Sequence, residues 1–180
     1  MLHIPHSQVG DSIPKDIAFF ALSPEGMPTP VNSGEFFSGK KVALFAVPGA
    51  FTPGCSQTHC PSFVLGHAKL TAAGFDAVAC TSVNDPFVMD AWCKSQNGEG
   101  KLTMLADGNC DFANAIGMAC DKSAGGMGTR SKRYGALVVD GVLKYMGVDE
   151  VKGVISGSLT CLSTRSPTCP STCCPWTSPS

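Results

Sequence analysis

The sequence has few charged residues and no long apolar run. Charged residues make up 15% of the 180 positions, and 13 Lys and Arg balance 14 Asp and Glu for a formal net charge of -1. A chain this close to neutral has no basic field to hold nucleic acid or an anionic membrane surface. No apolar segment approaches the roughly 18 residues that span a bilayer, and the N-terminal residues lack the pattern of a secretory signal. We therefore expect a soluble, non-secreted, cytoplasmic protein without nucleic-acid or membrane partners.

Ten cysteines are present, yet the expected features of a disulfide scaffold are missing. Such scaffolds are small secreted domains, whereas this chain is long enough to bury a core and has no export signal. Six cysteines fall in the first 155 residues and four in the last 25, where Ser and Thr fill 12 of 25 positions. We therefore expect one domain over residues 1–155 and a poorly ordered tail over residues 156–180.

Apolar runs alternate with helical segments along the body of the chain. The run Lys41–Val47 predicts a strand buried on both faces, and residues 55–73 predict a helix that Gly74 closes. Further elements are predicted at Phe75–Val83 (strand), Asp85–Gln96 (helix), Leu102–Ala106 (strand), Asp111–Met118 (helix), and a hairpin of Tyr134–Val139 and Val142–Val148 around Asp140-Gly141. A parallel strand-helix-strand unit followed by an antiparallel hairpin indicates an α/β protein with a mixed central sheet and helices on both faces, in the order of the thioredoxin-like fold.

The loop after the first predicted strand places Cys55 at the start of a helix. Free backbone N–H groups and the helix dipole favour an anion there, which makes a thiolate nucleophile at neutral pH. Thr52 can offer a hydroxyl to the sulfur or to a bound oxygen, and Pro48 can wall the pocket without competing for a hydrogen bond. Because Cys55-Ser56-Gln57-Thr58 is not Cys-x-x-Cys, a thioredoxin-type dithiol is absent at this position. The alternative is that Cys55 is a small buried apolar residue.

The pattern Pro48-x-x-x-Thr52-x-x-Cys55 resembles the active-site signature of the peroxiredoxins. The longer string Val47–His59 is similar to that of their type II branch, also called the five subfamily. Matches continue, most closely to plant and algal members, through Ser82–Met89, Leu105–Asp107 and Gly126–Tyr134. The resemblance covers about Val9 to Val148.

This resemblance implies a thiol peroxidase that reduces hydrogen peroxide and alkyl hydroperoxides without a cofactor or metal. It implies that Cys55 attacks the peroxide and becomes a sulfenic acid, that Thr52 binds the peroxide, and that Arg133 stabilises the thiolate and the leaving oxygen. Arg130 is the competing arginine. A homodimer is also implied.

The thiol that resolves the sulfenic acid stays open. Cys80 is the first candidate because it matches a cysteine of plant-like type II members; an external thiol such as glutathione, glutaredoxin or thioredoxin follows. Cys60 comes next. In an α-helix its side chain would lie about 140° around the axis from that of Cys55, so a bridge would require the first turn to unwind. Cys161 is the last candidate.

The remaining cysteines and His59 carry weaker signals. We interpret His59 as structural or surface-exposed rather than as a metal ligand, Trp92 as a core residue, and Cys93, Cys110 and Cys120 as packing residues or incidental thiols. Two other functions stay open. One is a redox sensor or relay that passes oxidation to partner proteins, and the other is a metal-binding protein that uses the tail cysteines Cys169, Cys173 and Cys174.

Overall fold

The computed structural model describes residues 7–149, which form a seven-stranded mixed sheet between two layers of helices. The strands are β1 (Ala18–Leu22), β2 (Pro28–Asn32), β3 (Lys41–Ala46), β4 (Ala77–Ser82), β5 (Thr103–Ala106), β6 (Ala119–Asp121), β7 (Thr129–Ser131), β8 (Tyr134–Val139) and β9 (Val142–Val148). Strands β6 and β7 pair in a separate two-stranded sheet, and the other seven form the main sheet. The α-helices are α1 (Ser33–Phe37), α2 (Cys60–Ala72), α3 (Pro86–Ser95) and α4 (Asp111–Ala115); a π-helical turn spans Cys55–His59 and a 3₁₀ turn Ser123–Gly125.

The main sheet has the strand order β2-β1-β5-β4-β3-β8-β9. Strands β3, β4 and β5 are parallel, whereas β8 and β1 border them antiparallel. After Lys41, every residue of β3 is buried, as expected for a central strand covered on both faces. The predicted strand-helix-strand unit is therefore confirmed.

Two apolar clusters, one on each face of the sheet, form the core. One cluster joins Phe45 and Cys80 of the sheet to α2 and α3, and the other joins Leu44 and Leu105 to α1 and α4. Because neighbouring side chains of a strand point to opposite faces, Leu44 and Phe45 serve different clusters. The fold class expected from the sequence, a thioredoxin-like α/β fold with helices on both faces, is confirmed.

The predicted hairpin between β8 and β9 is also confirmed. Asp140 and Gly141 have φ of 50° and 70°, and a two-residue type I′ turn requires positive φ at both of its central positions. A bulge interrupts the pairing: Val138 lies opposite Leu143, but Leu137 lies opposite Tyr145, which leaves Lys144 as the extra residue.

Several elements differ from the sequence-based expectation. Strands β1, β2, β6 and β7 and helix α1 were not predicted. Strand β2 contains Pro28 and Pro30, which weaken a strand signal and are tolerated because β2 is the edge of the sheet. The helix predicted over Asp111–Met118 ends at Ala115, and Gly117 follows with positive φ.

No helix within residues 7–149 is long and apolar enough to cross a bilayer. The predicted tail over residues 156–180, with Cys161 and the other late cysteines, lies outside the described residues.

Candidate active site

Cys55 lies on a π-helical turn between β3 and α2. Its side chain is fully buried, and its carbonyl accepts the N–H of Cys60, five residues later. An α-helix beginning at Cys55 was expected, so this expectation is wrong for the first turn. Pro61 supplies a physical reason, because a proline has no N–H and its ring would collide with the carbonyl four residues earlier in an α-helix.

The wider turn changes the relation between two thiols. The N–H of Cys60 bonds to the carbonyl of Cys55, so these two residues lie about one helical turn apart. In an α-helix, residues five apart would instead point to different sides of the helix. Both belong to the same apolar cluster. The expected separation of about 140° is therefore corrected, since it assumed α-helical geometry.

Arg133 contacts the sulfur of Cys55. It lies between β7 and β8, and its Nη2 donates to Cys55 Sγ at 3.2 Å. Gly54 makes this approach possible, because a Cβ at that position would lie 3.2 Å from Nη2. Arg133 Nη1 is buried and has no hydrogen-bond partner among residues 7–149. One nitrogen of the guanidinium thus faces the thiol, and another remains able to donate to a bound ligand.

The competing arginine, Arg130, is used elsewhere. Its Nε donates to the carbonyl of Met127 at 2.8 Å, and its Nη1 donates to the carbonyl of Val83 at 2.9 Å. The first contact is local, and the second joins β7 to the segment that follows β4. The structure therefore brings Arg133, and not Arg130, against the sulfur.

The loop that carries Thr52 is held by several hydrogen bonds. The Thr52 hydroxyl donates to the carbonyl of Gly49 at 2.9 Å, and the carbonyl of Thr52 accepts the N–H of Ser56 at 2.9 Å. The N–H of Ala50 donates to Asn84 Oδ1 at 3.0 Å. Because the Thr52 proton is committed to Gly49, the oxygen lone pairs remain to accept a hydrogen bond from an incoming O–H group.

Pro48 begins this loop and is half-buried, directly after the fully buried Val47. The N–H of Val47 still bonds to the carbonyl of Thr81, at 3.1 Å. Strand pairing therefore continues to the edge of the loop and fixes the position of Pro48.

Comparison with a family profile, with curated proteins and with solved structures identifies the family of this chain. The sequence profile of the redoxin family matches residues 8–157. The chain is 43% identical over 145 residues to "Peroxiredoxin-2E-2, chloroplastic" of Oryza sativa subsp. japonica, covering 79% of this chain and 64% of the rice protein. It is 42% identical over 144 residues to "Peroxiredoxin-2E, chloroplastic" of Arabidopsis thaliana, covering 79% and 62%. The chain thus spans just under two thirds of the length of these two relatives. It is also similar to the crystal structure of reduced Prx3 from Vibrio vulnificus in complex with H₂O₂, with a TM-score of 0.82 and 39% identity over 87% of this chain and 97% of that one.

The chain is a peroxiredoxin of the redoxin family. Its similarity to the plant members 2E, 2D and 2B places this peroxiredoxin in the type II branch. Homologues of this family are thiol-dependent peroxidases.

Cys60 and Cys80 are fully buried, and their thiols are protonated at neutral pH. Burial, with smaller contributions from Cys93 and Cys55, raises the pKa of Cys60 to about 12. Burial raises the pKa of Cys80 well above its ordinary value, with Cys60, Cys55 and Cys93 adding to the shift. Cys80 lies in β4 between β3 and β5, so it is paired on both sides. Any attack by Cys60 or Cys80 must therefore begin with the loss of a proton from a buried thiol.

His59 and Trp92 support the active-site turn of this peroxiredoxin. His59 is fully buried and meets the rings of Phe45 and Phe63 edge-on, with centroids 5.2 and 5.5 Å away, which makes it structural rather than surface-exposed. Trp92 is buried as expected, and its Nε1 donates to Ser56 Oγ at 2.9 Å, which the sequence did not predict. Within residues 7–149, no three His, Cys, Asp or Glu side chains are grouped to hold a metal ion.

Asp149 is a site residue that sequence reasoning missed. Its backbone N–H donates to the carbonyl of Arg133 at 2.9 Å, and its Oδ2 lies 3.6 Å from Arg133 Nε. A sequence signal existed only indirectly, because a hairpin register must be known before residues 133 and 149 can be placed opposite each other.

Proposed function

We propose that this peroxiredoxin reduces hydrogen peroxide and alkyl hydroperoxides with Cys55 as the peroxidatic thiol. The contact of 3.2 Å between Arg133 Nη2 and Cys55 Sγ is the observation that supports this role most directly. A cation at hydrogen-bond distance favours the thiolate, which is the nucleophilic form of cysteine. The Vibrio relative named above was crystallised with H₂O₂ in its reduced form, which is consistent with this substrate.

In the proposed reaction the Cys55 thiolate attacks the terminal oxygen of the hydroperoxide. A sulfur–oxygen bond forms as the oxygen–oxygen bond breaks, so sulfur loses two electrons and becomes a sulfenic acid. The leaving oxygen takes the electron pair and a proton and departs as water or an alcohol. Thr52 Oγ1 accepts from the substrate O–H, and the unpartnered Nη1 of Arg133 donates to the oxygen on which charge develops. Pro48 keeps water from the sulfur.

The experiment is stopped-flow measurement of peroxide consumption by the pre-reduced protein. We expect no reaction in Cys55→Ser and a strongly reduced second-order rate constant in Thr52→Val and Arg133→Ala. Cys120→Ser is the matched control, because Cys120 is half-buried on β6 and is not part of the proposed machinery. A Cys55→Ser protein that consumes peroxide as fast as the wild type would refute the assignment.

We further propose that glutathione, glutaredoxin or thioredoxin returns the enzyme to the thiol, with Cys80 as the first internal candidate for resolution. Because β4 is paired on both sides, the turn that holds Cys55 must move toward Cys80. Cys60 needs less movement than an α-helical turn would demand. Mass spectrometry of peroxide-treated protein distinguishes the partners. A Cys55–Cys80 peptide that disappears in Cys80→Ser supports resolution by Cys80. A Cys55–Cys60 peptide contradicts the role of Cys80, and a glutathione adduct alone indicates that the external thiol acts without Cys80. A redox relay would use the same thiol, and no contact in the described residues favours it.

A homodimer and a cytoplasmic location are part of the same proposal. Phe51, on the loop after β3, is exposed by 56%, and Phe87, in the first turn of α3, is exposed by 54%. The Ala50–Asn84 hydrogen bond joins the segments that lead into these two residues, so a second copy of this chain would bury both. Light scattering should show a dimer that Phe51→Glu with Phe87→Glu dissociates. Leu65→Glu, at an exposed position on α2, should leave the dimer intact.

The names of the rice and Arabidopsis 2E relatives include "chloroplastic". A fluorescent fusion that accumulates in an organelle would contradict the cytoplasmic location.

A further inference from the structure

Asp149 holds Arg133 through its main chain and its side chain. Strand β9 runs antiparallel to β8, with Val148 opposite Tyr134. Asp149, the next residue, therefore lies opposite Arg133, and its N–H reaches the Arg133 carbonyl at 2.9 Å. This bond continues the strand pairing by one step beyond the last paired residues.

The carboxylate of Asp149 is buried next to the guanidinium. Its side chain is 6% exposed, that of Arg133 is 17% exposed, and Oδ2 lies 3.6 Å from Nε. A carboxylate is costly to bury unless an opposite charge or hydrogen bonds compensate for the lost water. Arg133 supplies that charge. The pair is therefore a partly desolvated contact, unlike the exposed Asp90–Lys94 pair on α3.

A contact at Nε constrains the whole guanidinium because the group is planar and its nitrogens keep fixed angles. With Nε facing Asp149 and Nη2 facing Cys55 Sγ, the plane of Arg133 is fixed at two points. Its orientation also sets the direction of Nη1, which has no hydrogen-bond partner among residues 7–149.

We propose that Asp149 is a positioning residue that holds the Arg133 guanidinium against the Cys55 sulfur in the orientation that peroxide reduction needs. The inference rests on the proposed function of Cys55 and Arg133. It assigns to the Asp149 side chain a task separate from closing the hairpin, because the backbone N–H of residue 149 makes the bond to Arg133 whatever the side chain is.

Asp149→Asn is the appropriate variant because it removes the charge and keeps the shape and the backbone bond. Two effects of opposite sign follow from removing this carboxylate. If the guanidinium stays in place, the thiolate loses a repelling charge, and alkylation of Cys55 by iodoacetamide becomes half-maximal at a lower pH. If Asp149 positions Arg133, the guanidinium moves away from the sulfur, and the half-maximal pH rises.

We expect the half-maximal pH of alkylation to rise and the rate constant for hydrogen peroxide to fall about 10- to 100-fold, because displacement of a catalytic group by about 1 Å can cost as much as 100-fold. A half-maximal pH that falls or does not change, or a peroxide rate within twofold of the wild type, would overturn the inference. Asp90→Asn controls for the loss of a carboxylate elsewhere and should behave as the wild type. If Asp149→Asn does not fold by circular dichroism, Asp149→Ser takes its place in both assays.

A double-mutant cycle tests whether Asp149 acts through Arg133. In an Arg133→Ala background, Asp149→Asn should cause no further loss of rate, whereas a further tenfold loss would contradict the inference. Asp149→Glu keeps the charge and should stay within about threefold of the wild type; a rate as low as that of Asp149→Asn would also contradict it. If the wild-type protein itself does not reduce peroxide, the proposed function fails, and the alkylation profile still tests the positioning role.

Discussion

Gly54→Ala should separate the activity of this peroxiredoxin from its stability. Gly54 has φ of -64° and ψ of -30°, a backbone conformation that alanine adopts readily. The added Cβ would meet one neighbouring heavy atom within 4 Å, Arg133 Nη2 at 3.2 Å, which is the end of a flexible side chain. The contact that must give way is therefore the one between Arg133 Nη2 and Cys55 Sγ, on which the proposed role of Arg133 depends.

The magnitude follows from the same distances. Comfortable contacts between non-bonded heavy atoms begin at about 3.5 Å, so the guanidinium must retreat by roughly 0.3 to 0.8 Å. The distance from Nη2 to Cys55 Sγ would then grow from 3.2 Å to roughly 3.5–4.0 Å, which weakens the charge-assisted hydrogen bond. Since a shift of about 1 Å can cost 100-fold, we expect a fall of about tenfold in the rate constant for peroxide. The free energy of unfolding should stay the same or rise by about 0.4–1 kcal/mol, because alanine restricts the unfolded chain.

Stopped-flow kinetics and urea denaturation of the same preparations measure the two quantities. Gly125→Ala is the matched control, since a Cβ there would meet nothing within 4 Å. A folded Gly54→Ala protein with the wild-type peroxide rate would refute the reasoning, and so would a variant that loses several kcal/mol of stability.

Three further predictions follow from the buried groups around the site. Because the pKa values of Cys60 and Cys93 are raised to about 12 and about 11, iodoacetamide at pH 7.5 should label both far more slowly in the native protein than in urea; equal labelling by peptide mass spectrometry would contradict this. Ser56→Ala removes the acceptor of the Trp92 indole N–H and should lower the free energy of unfolding by about 1–3 kcal/mol. Urea denaturation measures this loss, and a loss below about 0.5 kcal/mol would contradict the prediction. Burial raises the pKa of Asp107, so its contribution to stability is present below the unfolded pKa of about 3.9 and is lost as the pH rises through the higher folded value. The free energy of unfolding of the wild type, relative to that of Asp107→Asn, should therefore rise as the pH falls from 7 to 3. A difference that does not change with pH would contradict the raised pKa of Asp107.

Most of the central sheet could be predicted from local pattern. The buried run at Lys41–Ala46 and the Asp140-Gly141 turn carry strong signals, since a fully covered strand has continuous apolar residues and a type I′ turn needs positive φ at both positions. The proline-containing edge strand Pro28–Asn32 carried none, because its pairing is decided by a neighbour in space rather than by its own residues.

For the candidate site, the sequence predicted the residue types and the structure supplied the geometry. Cys55, Thr52 and Pro48 lie on one continuous loop, so local spacing was sufficient to bring them together. Arg133 approaches from 78 residues away, and the choice between it and Arg130 depended on which guanidinium reaches the sulfur. The π-helical turn was missed because Pro61 has its effect only once the helix around it is formed.

The bulge at Lys144 decides which residue lies beside Arg133. Between the type I′ turn and the bulge, Val138 pairs with Leu143. Past the bulge each residue of β8 pairs with a residue one position later in β9 than an unbroken register would give, as in Tyr134 with Val148. The bulge, by leaving Lys144 unpaired, sets Asp149 opposite Arg133. If Lys144 were paired instead, the register would bring Val148 there, and an apolar side chain would replace the carboxylate at Nε. Because Lys144, an exposed residue, is itself the unpaired residue, its deletion would remove the bulge and still leave Tyr145 opposite Leu137 and Asp149 opposite Arg133.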